Sequence, residues 1–120
     1  QNEQLQKDLQ AKRTKQAEDA RLAAIAASGV SGNCESYRGL LSQYDWNVNT
    51  MLRIMNAESS CIPTKDNPTD NHRTCLGSWG LLQIGCVHGI ARDTLHDPAT
   101  NIAAAYRIWK SQGYTAWSTY

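Results

Sequence analysis

Apolar residues recur every three or four positions in two stretches of the chain, 37–44 and 48–58. That spacing places them on one face of an α-helix, so both stretches are predicted to be helical. In the second stretch the stripe that contains Met51 and Met55 continues directly onto Glu58. A carboxyl group therefore stands where the pattern calls for an apolar side chain.

The residues around these helices indicate turns and loops. The second helix is predicted to start after Asp45 or Asn47, since either side chain can cap a helix. Residues 62–74 are polar and contain two prolines, which favours a long loop or an irregular hairpin. Residues 75–89 are apolar and punctuated by glycine, and they predict a short helix between tight turns.

The clearest helix signal lies between residues 97 and 113. Asp97 is a predicted N-cap with Pro98 at the first helical position, and Gly113 is the predicted end. The predicted buried face consists of Ile102, Ala105, Tyr106 and Trp109. The aromatic tail that follows is expected to fold back on the core.

The composition changes near residue 29. Residues 1–28 lack glycine, proline and aromatic residues and have alternating charges, which favours an exposed helical arm or linker over a coiled coil. We leave open contact of this arm with another helix or weak self-association. The chain is therefore divided into an arm, 1–30, and a mainly α-helical domain, 31–120, with at most a short β-hairpin or irregular loop after Glu58.

The overall charge and hydropathy exclude several classes of protein. The net charge is +1, so nucleic acid is not an expected partner. No apolar run approaches the roughly 18 residues needed to cross a bilayer. The first residues lack the apolar segment of a signal peptide, although the missing initial Met leaves an exported precursor open. No phosphate-binding loop or dinucleotide fingerprint is present, so no cofactor is expected.

The four cysteines favour two disulfides in an oxidising, extracytoplasmic compartment. They stand at Cys34, Cys61, Cys75 and Cys86, and no pair has the close spacing of a zinc site. Three pairings are possible. The pairing favoured here joins Cys61 to Cys75 across the polar loop and Cys34 to Cys86.

Glu58 has two interpretations. As the last residue of a helix it could simply extend into water. If it is instead partly buried, its charged form is disfavoured, and it can serve as a proton donor near neutral pH. The polar loop that follows and the glycines at 77 and 80 suit the rim of a cleft. Flat aromatic faces for a sugar ring, or simply core residues, are provided by Trp46, Trp79 and Trp117.

Three segments in order resemble the lysozyme-like superfamily, with lytic transglycosylases and goose-type lysozymes most similar. They are the dipeptide ES at 58–59, GSWGLLQI at 77–84 and DPATNIAAAYRIW at 97–109. The resemblance covers about residues 35–120 and leaves out the arm. It implies a small lysozyme-like domain, secreted or facing the cell wall, that acts on peptidoglycan glycan strands at the β-1,4 bond from N-acetylmuramic acid to N-acetylglucosamine.

The resemblance also implies roles for individual residues. Glu58 would be the general acid, and Ser59 would form a hydrogen bond near it. The sugar-binding groove would be lined by Gly80, Leu81 and Gln83. Tyr106 matches an aromatic residue of the helix that packs behind the groove, where it is either a core residue or a substrate contact.

The mechanism depends on whether a second carboxylate takes part. In lytic transglycosylases the C6 hydroxyl of the substrate attacks, the same glutamate accepts its proton, and a 1,6-anhydro sugar results. Goose-type lysozymes have an aspartate in the matching loop, which makes Asp70 the candidate base of a hydrolase, although a turn aspartate is often structural. They also tend to have a further acid where this chain has Gly85, which favours the transglycosylase route.

The alternative of another class is a non-catalytic module that binds cell-wall glycan or another partner. His72 and His88 lie near the matching segments, but no ligand or nucleophile is spaced to partner them, so both are left outside the predicted site.

Overall fold

The computed structural model describes residues 32–120, so the predicted arm lies outside the described residues. Five α-helices and three β-strands follow one another within this range. The helices are α1 (Gly32–Glu35), α2 (Arg38–Leu41), α3 (Val48–Ser59), α4 (Arg92–Leu95) and α5 (Pro98–Gln112). The strands are β1 (Asp66–Asn71), β2 (Leu76–Trp79) and β3 (Ile84–Gly85), and short 3₁₀ turns cover Cys86–His88 and Gly113–Ala116. This confirms a mainly α-helical domain with a small sheet.

Helix α3 begins at the predicted place and ends just after the acid. Of the two candidate caps, Asn47 is the one used, since its side chain accepts a hydrogen bond from the Thr50 amide at 2.9 Å. Ser60 adopts a left-handed conformation, with φ of 54°, and terminates the helix. The buried face contains Met51 and Met55. Glu58 continues this stripe at the cleft-facing end and is half-buried.

The segment after α3 forms a three-stranded antiparallel sheet in the order β1-β2-β3. The hairpin of β1 and β2 was predicted as a possibility. The short helix predicted within 75–89 is present only as the 3₁₀ turn at Cys86–His88, and most of the segment forms strands and a turn. Ser78 pairs with Gly85 and Trp79 with Ile84 across β2 and β3. Gly77 has φ of +118°, a conformation incompatible with a right-handed helix. The glycines therefore permit a turn back into the sheet rather than bounding a helix.

Helix α5 confirms its predicted ends. The Asp97 side chain accepts a hydrogen bond from the Thr100 amide at 3.0 Å, Pro98 is the first residue, and Gly113 follows the last turn with φ of 69°. Ile102 and Ala105 are buried as predicted, whereas the rings of Tyr106 and Trp109 are only partly buried.

Both expected disulfides are present, but the favoured pairing is wrong. Cys34 bonds to Cys61 and Cys75 bonds to Cys86. Cys61 lies two residues after the end of α3, a helix that packs against α1, and the Cα atoms of this pair are 5.1 Å apart. The β1–β2 hairpin carries Cys75 away from Cys61 and toward the end of β3. Tertiary contact, rather than the short loop between two cysteines, decides the pairing.

The core lies between α3, α5 and the sheet. Its largest fully buried side chains include Leu41, Met51, Leu52, Ile54, Met55, Leu81, Leu82, Ile84, Leu95 and Ile102. The tail folds back as predicted, because the indole of Trp117 is buried and donates to the Leu82 carbonyl at 2.9 Å. Among residues 32–120, no helix has the length and hydropathy to span a membrane.

Candidate active site

Glu58 occupies the last turn of α3 and contacts the chain terminus. Its Oε1 accepts a hydrogen bond of 2.9 Å from the Thr119 hydroxyl. Burial raises the pKa of Glu58 above its ordinary value; the hydrogen bond from Thr119 opposes this shift, and the negative charge of Asp70 adds to it. A carboxyl group in this setting keeps its proton to higher pH than one in water.

A cleft of about 380 Å³ opens beside Glu58. This volume lies near the lower end of the range for small-ligand pockets, so the cleft can hold a segment of a long ligand rather than all of it. One wall comes from the sheet and the following turn, and the other from α5 and the tail. The ionisable side chains along the cleft are Glu58, Asp70, His72 and His88.

Asp70 and His72 meet on the sheet wall through a serine. The Ser78 hydroxyl donates to Asp70 Oδ2 at 2.6 Å, and His72 Nε2 lies 2.8 Å from Ser78 Oγ. His72 Nε2 is also 3.3 Å from Asp70 Oδ2. Ser78 is 1% exposed. The second carboxylate of the cleft is thus tied to a buried hydroxyl and an imidazole.

Ser59 points into the core, not toward the cleft. Its hydroxyl lies 2.7 Å from the Leu81 carbonyl and 3.1 Å from the Met55 carbonyl, and it accepts a hydrogen bond from the Cys61 amide. These contacts place Ser59 as a bridge between the end of α3 and the turn before β3.

The three residues expected along the groove have different positions. Leu81 is fully buried in the core, and Gly80 is buried against α4 and α5. Gln83 lines the cleft, but its Nε2 donates to the carbonyls of Lys65 and Gly80. Of the three, only Gln83 reaches the cleft, and it also holds the turn in shape.

Glycine is favoured at position 80 both by its left-handed backbone, with φ of +78°, and by close packing. A Cβ there would lie 2.3 Å from Asn101 Nδ2 and 2.4 Å from the Leu95 carbonyl. Asn101 is fully buried, accepts from the Leu82 amide and donates to the carbonyls of Trp79 and Leu95. Asn101 therefore holds residues 77–85, from Gly77 to Gly85 and called here the glycine-flanked segment, onto α5, a role that the sequence pattern alone did not identify.

Tyr106 lies away from the cleft. It is two residues from Ile108, which lines the cleft, and two residues correspond to about 200° around a helix. The Tyr106 hydroxyl donates to Asp45 at 2.7 Å, and this bond raises the pKa of the phenol and lowers that of the carboxyl group. Its ring stacks on Tyr44 with centroids 4.4 Å apart.

The tryptophans are mainly core residues. Trp46 and Trp117 are 5% and 6% exposed, which leaves little ring face for a sugar. Trp117 nevertheless forms part of the cleft wall. The half-buried Trp79 ring lies against Gly77, where a Cβ would be 2.2 Å from Trp79 Cζ2.

The two histidines that the sequence analysis left outside the predicted site both line the cleft. Ser78, which partners His72 and Asp70, was not singled out either. A signal was present: Asp70, near the end of β1, and His72, just after it, are two positions apart, and in extended backbone this spacing puts both side chains on one face. Among residues 32–120, no group of three or more potential ligands is arranged to hold a metal ion.

No family model, curated protein or solved structure matches this chain. The interpretation of the cleft therefore depends on its residues and on the sequence resemblance described above.

Proposed function

We propose that the domain is a peptidoglycan-cleaving glycosidase of the lytic transglycosylase type, with a lysozyme-like fold and Glu58 as the general acid. The observation that carries the proposal is the position of Glu58, which is half-buried at a helix end, has a raised pKa and faces a cleft. The order of the three segments that resemble lysozyme-like proteins supports the same function.

In this mechanism the protonated Glu58 donates its proton to the glycosidic oxygen as the bond to the leaving sugar breaks. The ionised Asp70 in the same cleft favours the positive charge that develops on the sugar ring. The C6 hydroxyl of the N-acetylmuramic acid then attacks its own C1 atom, and Glu58 takes the hydroxyl proton. A 1,6-anhydro end forms and the acid returns to its starting state.

A hydrolase is the second candidate, and the setting of Asp70 favours it. Asp70 shares the cleft with Glu58, and its Oδ2 accepts the Ser78 proton at 2.6 Å. An oriented carboxylate can accept a proton from a water molecule that attacks the sugar. In that case Asp70 is the base, Glu58 remains the acid, and the product has a reducing end.

The two disulfides support the location required by either mechanism. Disulfides persist outside the reducing cytoplasm, and all four cysteines of the chain are paired. We accordingly propose a secreted or extracytoplasmic protein that faces cell-wall glycan.

The direct test is digestion of purified peptidoglycan by the wild type and by Glu58→Gln. The glutamine keeps the shape of the side chain but has no proton to donate, so release of soluble fragments should fall by 10²-fold or more, roughly the contribution of general acid catalysis. Asp93→Asn is the matched control, because this carboxyl side chain is 91% exposed and lies on α4. Equal digestion by wild type and Glu58→Gln would exclude Glu58 from the mechanism.

Mass spectrometry of the fragments separates the two routes, since anhydro and reducing ends differ by one water. Asp70→Asn should abolish the hydrolytic route and only slow the anhydro route. If the wild type does not digest peptidoglycan but is retained on it, the domain is a glycan-binding module.

A further inference from the structure

Gly85 provides the space that the His72 ring occupies. A Cβ at position 85 would lie 2.6 Å from His72 Cε1 and 2.9 Å from its Nε2. The backbone of Gly85 does not itself require glycine, because its φ of −72° is open to any residue. Because Gly85 has no side chain, the His72 imidazole can pack against the backbone at this position.

The proton count around Ser78 gives the hydrogen bonds a direction. A serine hydroxyl has one proton, and Ser78 Oγ lies 2.6 Å from Asp70 Oδ2 and 2.8 Å from His72 Nε2. When Asp70 is ionised it can only accept, so the Ser78 proton goes to Asp70. His72 must then donate from Nε2 to Ser78 Oγ.

We propose that His72, seated on Gly85, is a positioning residue that orients the Asp70 carboxylate through Ser78. The donated bond from His72 keeps the Ser78 proton directed at Asp70 Oδ2 and so holds the carboxylate in place. The imidazole thus occupies the site at which the sequence resemblance led us to expect an acid. The activity measurements below rest on the proposed function, whereas the NMR measurements do not.

The surroundings of His72 permit this role. Its side chain is 26% exposed and that of Asp70 is 44% exposed, so both are at the cleft surface while Ser78 beneath them is buried. The other ionisable side chains facing the cleft are Glu58 and His88. The negative charge of Asp70 raises the pKa of Glu58. Displacement of Asp70 would therefore also change the pKa of Glu58, the proposed acid.

Gly85→Ala is the sharpest test because it displaces His72 without altering any polar group. The His72 side chain can rotate away, so the fold should survive while the bond to Ser78 is lost. Two-bond ¹H–¹⁵N correlation spectra of the His72 ring report its tautomer. We expect the Nε2–H form in the wild type and loss of that preference in Gly85→Ala. Gly39→Ala is the matched control, because a Cβ there meets nothing within 4 Å.

Activity on a defined glycan oligomer provides the second measurement. His72→Ala and Gly85→Ala should each lower kcat about tenfold with little change in KM, roughly the effect of losing the single hydrogen bond to Ser78. His72→Gln, which can donate to Ser78, should recover part of the rate.

The double variant with His72→Ala and Gly85→Ala distinguishes a positioning role of His72 from a general disruption of the structure. In the His72→Ala background the space above Gly85 is empty, so adding Gly85→Ala should have little further effect on rate. Additive losses would overturn the proposal, as would an Nδ1–H tautomer in the wild type. If the wild type has no glycosidase activity, the proposed function fails, while the NMR comparison still decides whether Gly85 seats His72 as described.

Discussion

The Ser59 hydroxyl lies 2.7 Å from the Leu81 carbonyl and links two parts of the chain that are 22 residues apart. Ser59 follows the proposed acid directly, and Leu81 lies in the glycine-flanked segment that leads to the cleft wall. The bond therefore sets the distance between the end of α3 and that wall. It gives the residue after the acid a structural role that does not require contact with substrate.

Ser59→Ala should destabilise the domain by about 1–3 kcal/mol, because it leaves the buried Leu81 carbonyl without this donor. Urea unfolding at constant m value measures the change. Ser111→Ala, on the exposed face of α5, is the control and should remain within about 0.5 kcal/mol of the wild type. If Ser59→Ala lowers the free energy of unfolding no more than Ser111→Ala does, the hydrogen bond to Leu81 contributes nothing to stability.

Glu58→Gln should change how stability depends on pH. The pKa of Glu58 is raised in the folded state by burial, so the folded protein holds its proton more tightly than the unfolded chain does. Between the unfolded and folded pKa values the native state binds more protons, and stability falls as pH rises through that window. The glutamine variant should lack this loss of stability, and it should be more stable than the wild type at pH values above that window.

Thermal unfolding of the wild type and of Glu58→Gln, measured from acid to neutral pH, compares how the stability of each depends on pH. Asp45 and Asp97 have lowered pKa values because of their hydrogen bonds to Tyr106 and Thr100. Their contributions have the opposite sign, and they cancel in the difference between the two proteins. A difference that does not vary with pH would contradict the raised pKa of Glu58.

Thr119→Val should raise the pKa of Glu58 further, because the hydroxyl of Thr119 stabilises the ionised carboxylate at 2.9 Å. The titration of the Glu58 side-chain carbon, followed by NMR, measures this directly. Thr64→Val, at an exposed loop position, is the control. A Glu58 titration that is unchanged by Thr119→Val would show that the tail does not contact the acid in solution.

The two disulfides should differ in their contribution to stability. Each is expected to add about 3 kcal/mol on the loop-entropy model, and each doubling of loop length adds about 0.6 kcal/mol. Cys34 and Cys61 are separated by 27 positions, Cys75 and Cys86 by 11. Replacing the first pair with serine should therefore cost more than replacing the second, as measured by urea unfolding.

Peptide mapping without reduction checks the pairing itself. Fragments that join Cys34 to Cys61 and Cys75 to Cys86 are expected. A fragment that joins Cys61 to Cys75 would contradict the fold described for the hairpin.

The sequence by itself determined the two long helices of this domain, α3 and α5. Asn47, Asp97, Pro98 and Gly113 act through contacts within a few residues, and the helices begin and end where those side chains require. The apolar stripe of α3 likewise placed Glu58 on the face of Met51 and Met55, because side-chain direction in a helix follows from spacing, but it left open whether Glu58 would be buried or extend into water.

Only the tertiary structure decided how distant segments meet. The disulfide pairing, the burial of Leu81 and Asn101, and the seat of His72 on Gly85 all depend on contacts between parts of the chain that no local pattern specifies. The glycine-flanked segment shows the difference most directly: its apolar composition suits a helix or a strand, and pairing within the sheet made its two ends strands, joined by a turn at residues 80–83. Local propensity is a weak preference that tertiary packing readily overrides.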